Sequence, residues 1–331
     1  MKFCFVIPLV HPDGERVTDY GAIEQLLHMT LTSLLAQSVT ETAIVVVCHR
    51  VPDWHDTLPD RVTFLQVPDD DRFPINHVQR HIDKAIKLAA GAHYTLQQHA
   101  PDYVMFVDGD DTVHVNLAKT VLERKLPRGA DGYSISRGMN ARIKTMPDAI
   151  ELQNAYFVKH FNRDCGSCRI LSASALRRTL SEVAPNASAV TMALTADGYL
   201  SQAYIDAIYK DAEVAFPVPK APFRIFGNHI QQDMIFSLAT LDLPLASKTC
   251  GHENHVGPRK DTIHWHRVTG KMSLKTFMAN FGLADAPFLV ANEAPVSPLK
   301  LLVKPHTERI IVGTRSASLK TRKSLKWLTT R

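Results

Sequence analysis

Long apolar runs are scarce in this sequence of 331 residues. No stretch reaches the roughly 20 consecutive apolar residues that a membrane-spanning helix needs. The apolar start, from Phe3 to Ile7, stops at Pro8 and lacks the basic segment and the cleavage site of a secretory signal. These absences predict a cytoplasmic protein, or at most one that binds peripherally to the inner face of the cell membrane.

Cysteine is sparse too, and the number of cysteines is odd. The five are Cys4, Cys48, Cys165, Cys168 and Cys250. Because they are scattered and three of them adjoin strand-like apolar runs, we expect reduced, buried thiols and no disulfide framework. Cys165 and Cys168 have the spacing of a zinc half-site or a redox pair. A second pair of ligands at similar spacing is missing, which weighs against zinc.

A broad excess of positive charge is also missing. The net charge is +5, and the segment 315–331 alone contributes six basic residues and no acidic one, which leaves −1 for the rest of the chain. A nearly neutral body argues against a nucleic-acid-binding surface. The basic segment also carries Leu319, Leu325, Trp327 and Leu328, a composition that suits an amphipathic segment on an anionic membrane. The alternative is a solvated tail.

The sequence does contain alternating strand and helix signals. Apolar, β-branched runs predict buried parallel strands, and leucines and alanines at three- and four-residue spacing predict helices. The predicted strands are Phe3–Ile7, Ala43–Cys48, Val62–Val67 and Tyr103–Val107, with helices over 23–37 and 76–99. The pattern predicts an α/β fold with a mainly parallel central sheet flanked by helices.

The second half of the chain is less regular. It shows one further strand signal at Gly132–Ser136, helical signals at 172–183 and 195–211, and an extended, proline-rich stretch at 214–226.

An acidic cluster, Asp108-Gly109-Asp110-Asp111, directly follows the fourth predicted strand. Open parallel sheets bind ligands beyond the carboxyl ends of their strands, so chemistry is expected at this position. Three neighbouring carboxylates repel one another unless a cation compensates them. A hard ion such as Mn²⁺ or Mg²⁺ takes carboxylate oxygens and fills its other positions with ligand phosphates. The alternative is a solvated acidic turn.

The order of these parts is similar to that of a known enzyme family. The opening strand into Pro8, the leucine-rich helix, the strand Ile44–Val47 and the acidic cluster come first, and Asp233 and His255 follow later. This order resembles the GT-A nucleotide-diphospho-sugar transferases, in particular the inverting family 2 enzymes of bacterial surface polysaccharide biosynthesis. The resemblance covers roughly the first 140 residues and extends to about residue 260.

The resemblance implies a GT-A, Rossmann-like fold and a metal-dependent sugar transfer. The donor would be a nucleoside-diphosphate sugar, preferably a UDP-sugar, and the acceptor a glycan or a lipid-linked glycan. Asp233 would be the general base, and Asp110, Asp111 and His255 would bind Mn²⁺ or Mg²⁺, with His252 as the substitute ligand. The implied donor contacts are Pro8, His49, Asp69, Lys84, Asp108, Gly109, Asp110, Gly166 and Ser167. Residues 1–140 would form the donor half, 141–296 the acceptor half and 297–331 a C-terminal appendage.

The sequence departs from the family after the second strand. Many relatives have Asp-Asp-Gly-Ser there, whereas Val47 is followed by Cys48-His49-Arg50. His49 or Arg50, or the acidic run 69–71, would then contact the nucleotide. Lys84 or Lys87 would meet a phosphate, the alternative being that both belong to the solvated face of a helix. Gly166 and Ser167 would shape the sugar pocket through their backbone.

Two other functions share the expected fold. A nucleotidyltransferase that makes nucleotide sugars would carry a Gly- and Arg-rich phosphate loop after the first strand, and Pro8 to Pro12 contain no such loop. A catalytically silent sugar-binding or assembly protein could keep the same fold, because fold alone does not prove activity.

Overall fold

The structure is a computed structural model that describes residues 2–14, 17–68, 80–215, 226, 232, 235–251 and 265–292. These residues belong to one compact unit, Met1–Pro295. Its helices are α1 (Tyr20–Leu35), α2 (Arg80–Gln98), α3 (Leu117–Leu122), α4 (Ala173–Val183), α5 (Pro185–Ser188), α6 (Gln202–Ala215) and α7 (Leu274–Asn280). Its strands are β1 (Phe3–Pro8), β2 (Thr42–Cys48), β3 (Val62–Gln66), β4 (Tyr103–Phe106), β5 (Thr112–Val113), β6 (Gly132–Ile135), β7 (Arg137–Met146), β8 (Ala149–Lys159), β9 (Arg169–Ser172), β10 (Leu238–Leu241), β11 (Ala246–Cys250), β12 (Val268–Met272) and β13 (Leu289–Ala291).

The central sheet has seven strands in the order β10-β6-β9-β4-β1-β2-β3. Strands β4, β1, β2 and β3 are parallel, and β10 is parallel to β6. Strand β9 runs antiparallel to both β4 and β6. The strands β1 and β2 are almost entirely buried because helices cover both faces of the sheet. The predicted α/β fold with a mainly parallel central sheet is confirmed.

Helices α1 and α2 cover opposite faces of this sheet. Helix α1 begins after Asp19, whose side chain accepts a hydrogen bond from the backbone N–H of Ala22 at 3.1 Å. Its leucines pack against the side chains of Phe5 and Ile44. Helix α2 lies close to β1, since a Cβ added to Gly91 would be 2.4 Å from Val6 Cγ1. This close contact fixes the helix that delivers charged side chains to the sheet edge.

A second sheet has the order β12-β8-β7-β11-β5, and β13 pairs with β8. Strands β7 and β8 form a long antiparallel hairpin, with β11 parallel to β7 and antiparallel to β5. Apolar side chains of the hairpin pack against Leu26 and Met29 of α1 and against Phe277 and Phe281 at α7. The second half therefore contains more regular structure than the sequence predicts.

The predicted helix over 195–211 is wrong in its first part. Residues 195–198 form a turn in which Gly198 has a φ of +82°, and Leu194 pairs with Leu200 in an antiparallel bridge. Helix α6 begins only at Gln202. A left-handed glycine ends a helical pattern because helical residues require negative φ. The predicted extended stretch 214–226 lies largely outside the described residues.

The expectation for the cysteines is confirmed, because all five are described, buried and free of disulfide bonds. Within the described ranges, each helix is too short or too polar to span a bilayer. Residues 296–331, with the predicted basic segment 315–331, lie outside the described residues.

Candidate active site

The candidate site lies where the parallel strands of the central sheet end. Val47 at the end of β2 accepts a hydrogen bond from the backbone N–H of Leu9 at 2.9 Å, and Val6 accepts one from the N–H of Val107 at 3.0 Å. The segments after β1, β2 and β4 therefore meet at one edge. Because β9 is antiparallel to β4, the residues that precede β9 reach the same edge. This places the loop around Gly166 beside the acidic cluster.

Asp108 is held from three directions. Its carboxylate forms an ion pair with Lys84 of α2, and its backbone N–H donates to Ser167 Oγ at 2.8 Å. Gly166 lies so close that an added Cβ would be 2.6 Å from Asp108 Oδ2. The Asp108 side chain is nevertheless 30% exposed, so its carboxylate faces both the protein and the solvent. The side chain of Asp108 is therefore partly accessible to a ligand at this edge.

Asp111 points into the protein and is 3% exposed. Its Oδ1 accepts from the backbone N–H of Thr249 at 3.0 Å, and its Oδ2 accepts from Ser167 Oγ at 2.6 Å and Cys165 Sγ at 3.2 Å. Burial, followed by the negative charges of Asp110 and Asp108, raises the pKa of Asp111 to about 8. The carboxyl group of Asp111 therefore lies buried beneath Asp108 and Asp110, and their negative charges disfavour its ionised form.

The loop that supplies Cys165, Gly166 and Ser167 is fastened by Arg169, which is fully buried. Its guanidinium donates to Asn162 O at 2.9 Å and to Cys168 Sγ at 2.6 Å. The Cys168 thiol donates to Cys165 O at 2.9 Å, so both thiols of the pair have partners inside the loop or the site. Ser167 contributes its hydroxyl rather than its backbone, which differs from the expectation.

Asp110 is partly exposed, and Gly109 approaches Leu9 closely, since an added Cβ would be 3.2 Å from Leu9 Cδ1. Two lysines compensate the cluster. Burial opposes the charge of Lys84, but Asp108 above all, with Asp110 and Asp111, outweighs this effect and raises the pKa of its amine. Burial likewise opposes the charge of Lys248 on β11, yet Cys250, Cys165, Asp111 and Asp110 raise the pKa of that amine. Lys84 thus contacts the cluster directly, and Lys248 directly precedes Thr249, whose backbone N–H binds Asp111.

A second charged group lies beside the first, at the ends of β1 and β2. Asp83 of α2 accepts from Lys87 Nζ at 2.7 Å and contacts His49 Nε2 at 2.9 Å. Lys87 is fully buried and also donates to Leu9 O at 2.7 Å. The interpretation of Lys87 as part of a solvated helix face is therefore wrong. Burial raises the pKa of Asp83, but Lys87 and His49 outweigh it and lower the pKa to about 2.

The cluster suits a hard cation, because carboxylate oxygens are the ligands that such ions prefer. The neighbouring carboxylates repel one another, and a bound cation would relieve that repulsion. Asp108 and Asp110 offer partly exposed carboxylates, whereas Asp111 already accepts three hydrogen bonds. Among the described residues, no group of three or more His, Cys, Asp or Glu side chains is arranged to hold a metal ion.

No family model matches the chain, and no curated protein matches it. Among solved structures it is similar to S. aureus TarS 1-349, at 14% identity and a TM-score of 0.35, over 75% of this chain and 60% of that one. The same protein in complex with UDP-GlcNAc gives 14% identity and a TM-score of 0.35, over 80% and 62%. S. aureus TarS gives 12% identity and a TM-score of 0.37, over 76% and 37%.

The chain thus spans less than two thirds of the length of these structures. At such identities and TM-scores, no residue of this chain acquires a role from the likeness. The assignment of site residues depends on the geometry at the sheet edge.

The structure brings together much of the predicted site. Lys84, Asp108, Gly109, Asp110, Asp111, Gly166 and Ser167 lie around one point at the edge, and Pro8 and His49 lie at the ends of β1 and β2. Asp69, Asp233 and His255 lie outside the described residues, as does His252. The roles given to all of these residues stay predictions.

Sequence reasoning missed Asp83, Cys165 and Lys248 as members of the site. Asp83 lies one helical turn before Lys87, so the i,i+4 spacing of opposite charges was a visible signal. Lys248 and Thr249 reach the cluster through β11 of the second sheet, and no local signal announces that contact.

Proposed function

We propose that the protein is a metal-dependent glycosyltransferase of the GT-A type. It would move a sugar from a nucleoside-diphosphate sugar, preferably a UDP-sugar, to a hydroxyl of a glycan or lipid-linked acceptor. The observation that carries the proposal is the aspartate cluster at the carboxyl edge of parallel strands, with Asp111 buried beneath and Asp108 and Asp110 partly exposed. Ligands of open α/β sheets bind at this kind of edge.

Asp110 would bind Mn²⁺ or Mg²⁺ together with the donor phosphates and His255, and the bound cation would favour the ionised form of Asp111, whose pKa is raised by burial and by its acidic neighbours. A bound cation stabilises the negative charge that develops on a departing diphosphate. Lys84, which forms an ion pair with Asp108, would contact a donor phosphate when the cation shares that carboxylate. Gly166 leaves room beside Asp108, and Ser167 fixes Asp108 and Asp111 relative to each other.

Binding calorimetry tests this proposal directly. A panel of nucleoside diphosphates is titrated into the full chain with and without Mn²⁺. We expect one nucleotide, UDP in the first place, to bind only in the presence of Mn²⁺. The absence of nucleotide binding under both conditions would overturn the proposal and favour a catalytically silent sugar-binding protein.

Asp233 would act as the general base that takes the proton from the acceptor hydroxyl in an inverting reaction. A positioned base contributes at least about a hundredfold to such a step. Asp233→Asn is therefore expected to lower the rate of transfer by about a hundredfold and to leave donor affinity unchanged. Radiolabelled sugar transfer and calorimetry on the same preparation measure the two quantities. Equal losses in both would assign Asp233 to donor binding instead.

Gly166→Ala should lower the rate of sugar transfer by displacing Asp108, although it removes no charged group from the site. The new methyl group would lie 2.6 Å from Asp108 Oδ2, so either the carboxylate or the loop must move. A displacement of about 1 Å in a positioned group can cost about a hundredfold in rate, and we expect a loss of that order in transfer. Gly270→Ala is the matched control, because its methyl group would meet Phe157 at an ordinary 3.7 Å. Full activity of Gly166→Ala would show that Asp108 is not placed by this contact.

A further inference from the structure

The second sheet contributes a polar strip that begins at the acidic cluster. Strand β11 places Lys248 one residue before Thr249, whose backbone N–H binds Asp111. Lys248 is paired in register with Asn140 of β7, and Asn140 is paired with Tyr156 of β8. Residues paired across strands project from the same face of a sheet. The three side chains therefore follow one another on one face, leading away from the aspartates.

Of these three residues, Lys248 lies on the strand nearest to the acidic cluster. It directly precedes Thr249, whose backbone N–H binds Asp111, and it is only partly buried. Its neighbours in β11, Ser247 and Thr249, are fully buried on the opposite face. A partly exposed lysine on the strand that contacts the acidic cluster is suited to an anion that binds there together with a cation.

The side chain of Asn140 has a buried oxygen that lacks a hydrogen-bond donor in the described part of the chain. The residue is 3% exposed, and the oxygen concerned is Oδ1. A buried acceptor that remains unsatisfied costs about 1–3 kcal/mol, so native structures almost always provide a donor. The carbonyl of Asn140 is therefore suited to a hydroxyl group that comes from outside the protein.

The spacing of the strip fits one particular ligand. Neighbouring strands are about 5 Å apart, so Asn140 lies about one strand spacing beyond Lys248. In a sugar nucleotide the sugar ring is joined directly to the second phosphate, and its hydroxyl groups lie a few ångströms beyond it. A phosphate beside Lys248 would therefore bring the attached ring to Asn140.

We propose that Lys248 and Asn140 form the subsite for the transferred sugar, with Lys248 at the sugar-bearing phosphate and Asn140 Oδ1 accepting a hydrogen bond from a ring hydroxyl. This inference rests on the proposed function, and it names the residues that recognise the sugar as distinct from the nucleotide. The contribution of the sugar to binding is the difference in affinity between a UDP-sugar and UDP.

The test measures that difference by calorimetry in Mn²⁺, using UDP, UDP-glucose, UDP-galactose and UDP-N-acetylglucosamine. We expect the wild type to bind one UDP-sugar more tightly than UDP. Asn140→Leu, which keeps the branching of the side chain at Cγ and removes the carbonyl, should weaken that UDP-sugar about tenfold, as loss of one hydrogen bond implies, and leave UDP unchanged. Lys248→Gln should weaken both ligands about tenfold.

Two control variants separate recognition from folding. Lys144→Gln removes an exposed lysine from the same sheet, and Ser134→Ala removes another buried oxygen that has no partner among the described residues. Neither should change the affinity of either ligand. Asn140→Ala removes the same carbonyl without adding volume, so it should weaken the UDP-sugar to a similar extent even if the larger leucine lowers the unfolding temperature.

Three results would overturn the inference. If Asn140→Leu binds the UDP-sugar as tightly as the wild type, a buried water satisfies the carbonyl. If the wild type binds UDP and every UDP-sugar equally, no sugar subsite exists, although the nucleotide site stands. If the wild type binds no nucleotide at all, the proposed function fails and the subsite fails with it.

Discussion

Asp110→Asn is expected to abolish the Mn²⁺-dependent part of nucleotide binding and to lower sugar transfer about a thousandfold, or about 4 kcal/mol in the barrier. Asp110 is partly exposed, whereas Asp111 accepts three hydrogen bonds inside the protein. Asp110 is therefore the carboxylate best placed to bind the cation. Asparagine keeps the size of the side chain and removes its charge. Calorimetry with and without Mn²⁺ and a transfer assay measure the two effects.

The matched control is Asp242→Asn. Asp242 directly follows β10 at the same edge of the sheet, and it pairs with the exposed Arg137 at 3.0 Å. Removing its charge should leave nucleotide binding and transfer within twofold of the wild type, because exposed ion pairs contribute little. Metal-dependent binding that survives in Asp110→Asn would remove this residue from the cation site.

The same experiment separates the rival functions. A silent sugar-binding protein would bind ligand without transfer, and Asp110→Asn would then change affinity alone. A nucleotidyltransferase would release diphosphate from a nucleoside triphosphate and a sugar phosphate. The segment after β1, where such enzymes carry a phosphate loop, here has Leu9 bonded through its N–H to Val47 and through its carbonyl to Lys87. The backbone N–H of Leu9 is therefore already used inside the protein and does not face a phosphate, which argues against a nucleotidyltransferase.

Sequence patterns predicted strands β1 to β4 because these are short and apolar and are covered by helices on both faces, and a further signal matched β6. The antiparallel β9 and the edge strand β10 of the same sheet were missed.

The second sheet was missed although strand β7 carries a local signal. From Met139 to Lys144 apolar and polar residues alternate, with Met139 and Ala141 in the core and Asn140 and Arg142 on the other side, as is typical of a strand with one buried face. The pairing of β7 with the distant strand β11 has no such local signal, and this pairing joins the hairpin to β5 and the acidic cluster.

The aspartate cluster was visible in the sequence, but the difference among its members was not. The sequence alone does not distinguish the environments of the three neighbouring carboxylates. The fold makes Asp111 a buried acceptor and leaves Asp108 and Asp110 partly exposed, because β11 places the N–H of Thr249 beneath the turn. Such a contact joins residues 138 positions apart, and a single sequence contains no signal for it.

The charges at the sheet edge form two connected groups on helix α2. Lys84 pairs with Asp108 at the acidic cluster, and Lys87 pairs with Asp83 beneath the ends of β1 and β2. Lys84 is partly exposed and Lys87 is fully buried. One turn of the same helix thus provides a cation that a ligand can reach and a second cation that holds the helix to the sheet. The second role leads to a prediction about stability.

Lys87→Met is expected to lower the free energy of unfolding by about 3–5 kcal/mol, the usual effect of removing one partner of a buried ion pair. The variant keeps much of the side-chain volume, but Asp83 loses its cation and Leu9 O loses its donor. Urea unfolding monitored by fluorescence measures the change. Lys119→Met is the matched control, because Lys119 and Glu123 also form an i,i+4 pair but both are exposed, and it should cost less than about 0.5 kcal/mol.

The pH dependence of this difference follows from Asp83. Its pKa in the folded protein, about 2, lies below the ordinary value of 3.8, so its contribution to stability is present above pH 3.8 and is lost as the pH falls towards 2. In Lys87→Met the largest cause of the low pKa is gone, and the carboxyl group should protonate at a higher pH. The stability difference between wild type and variant should therefore be largest above about pH 5 and should narrow towards pH 2. A difference that stays constant over this range would show that Lys87 stabilises the fold through Leu9 and packing, and not through the charge of Asp83.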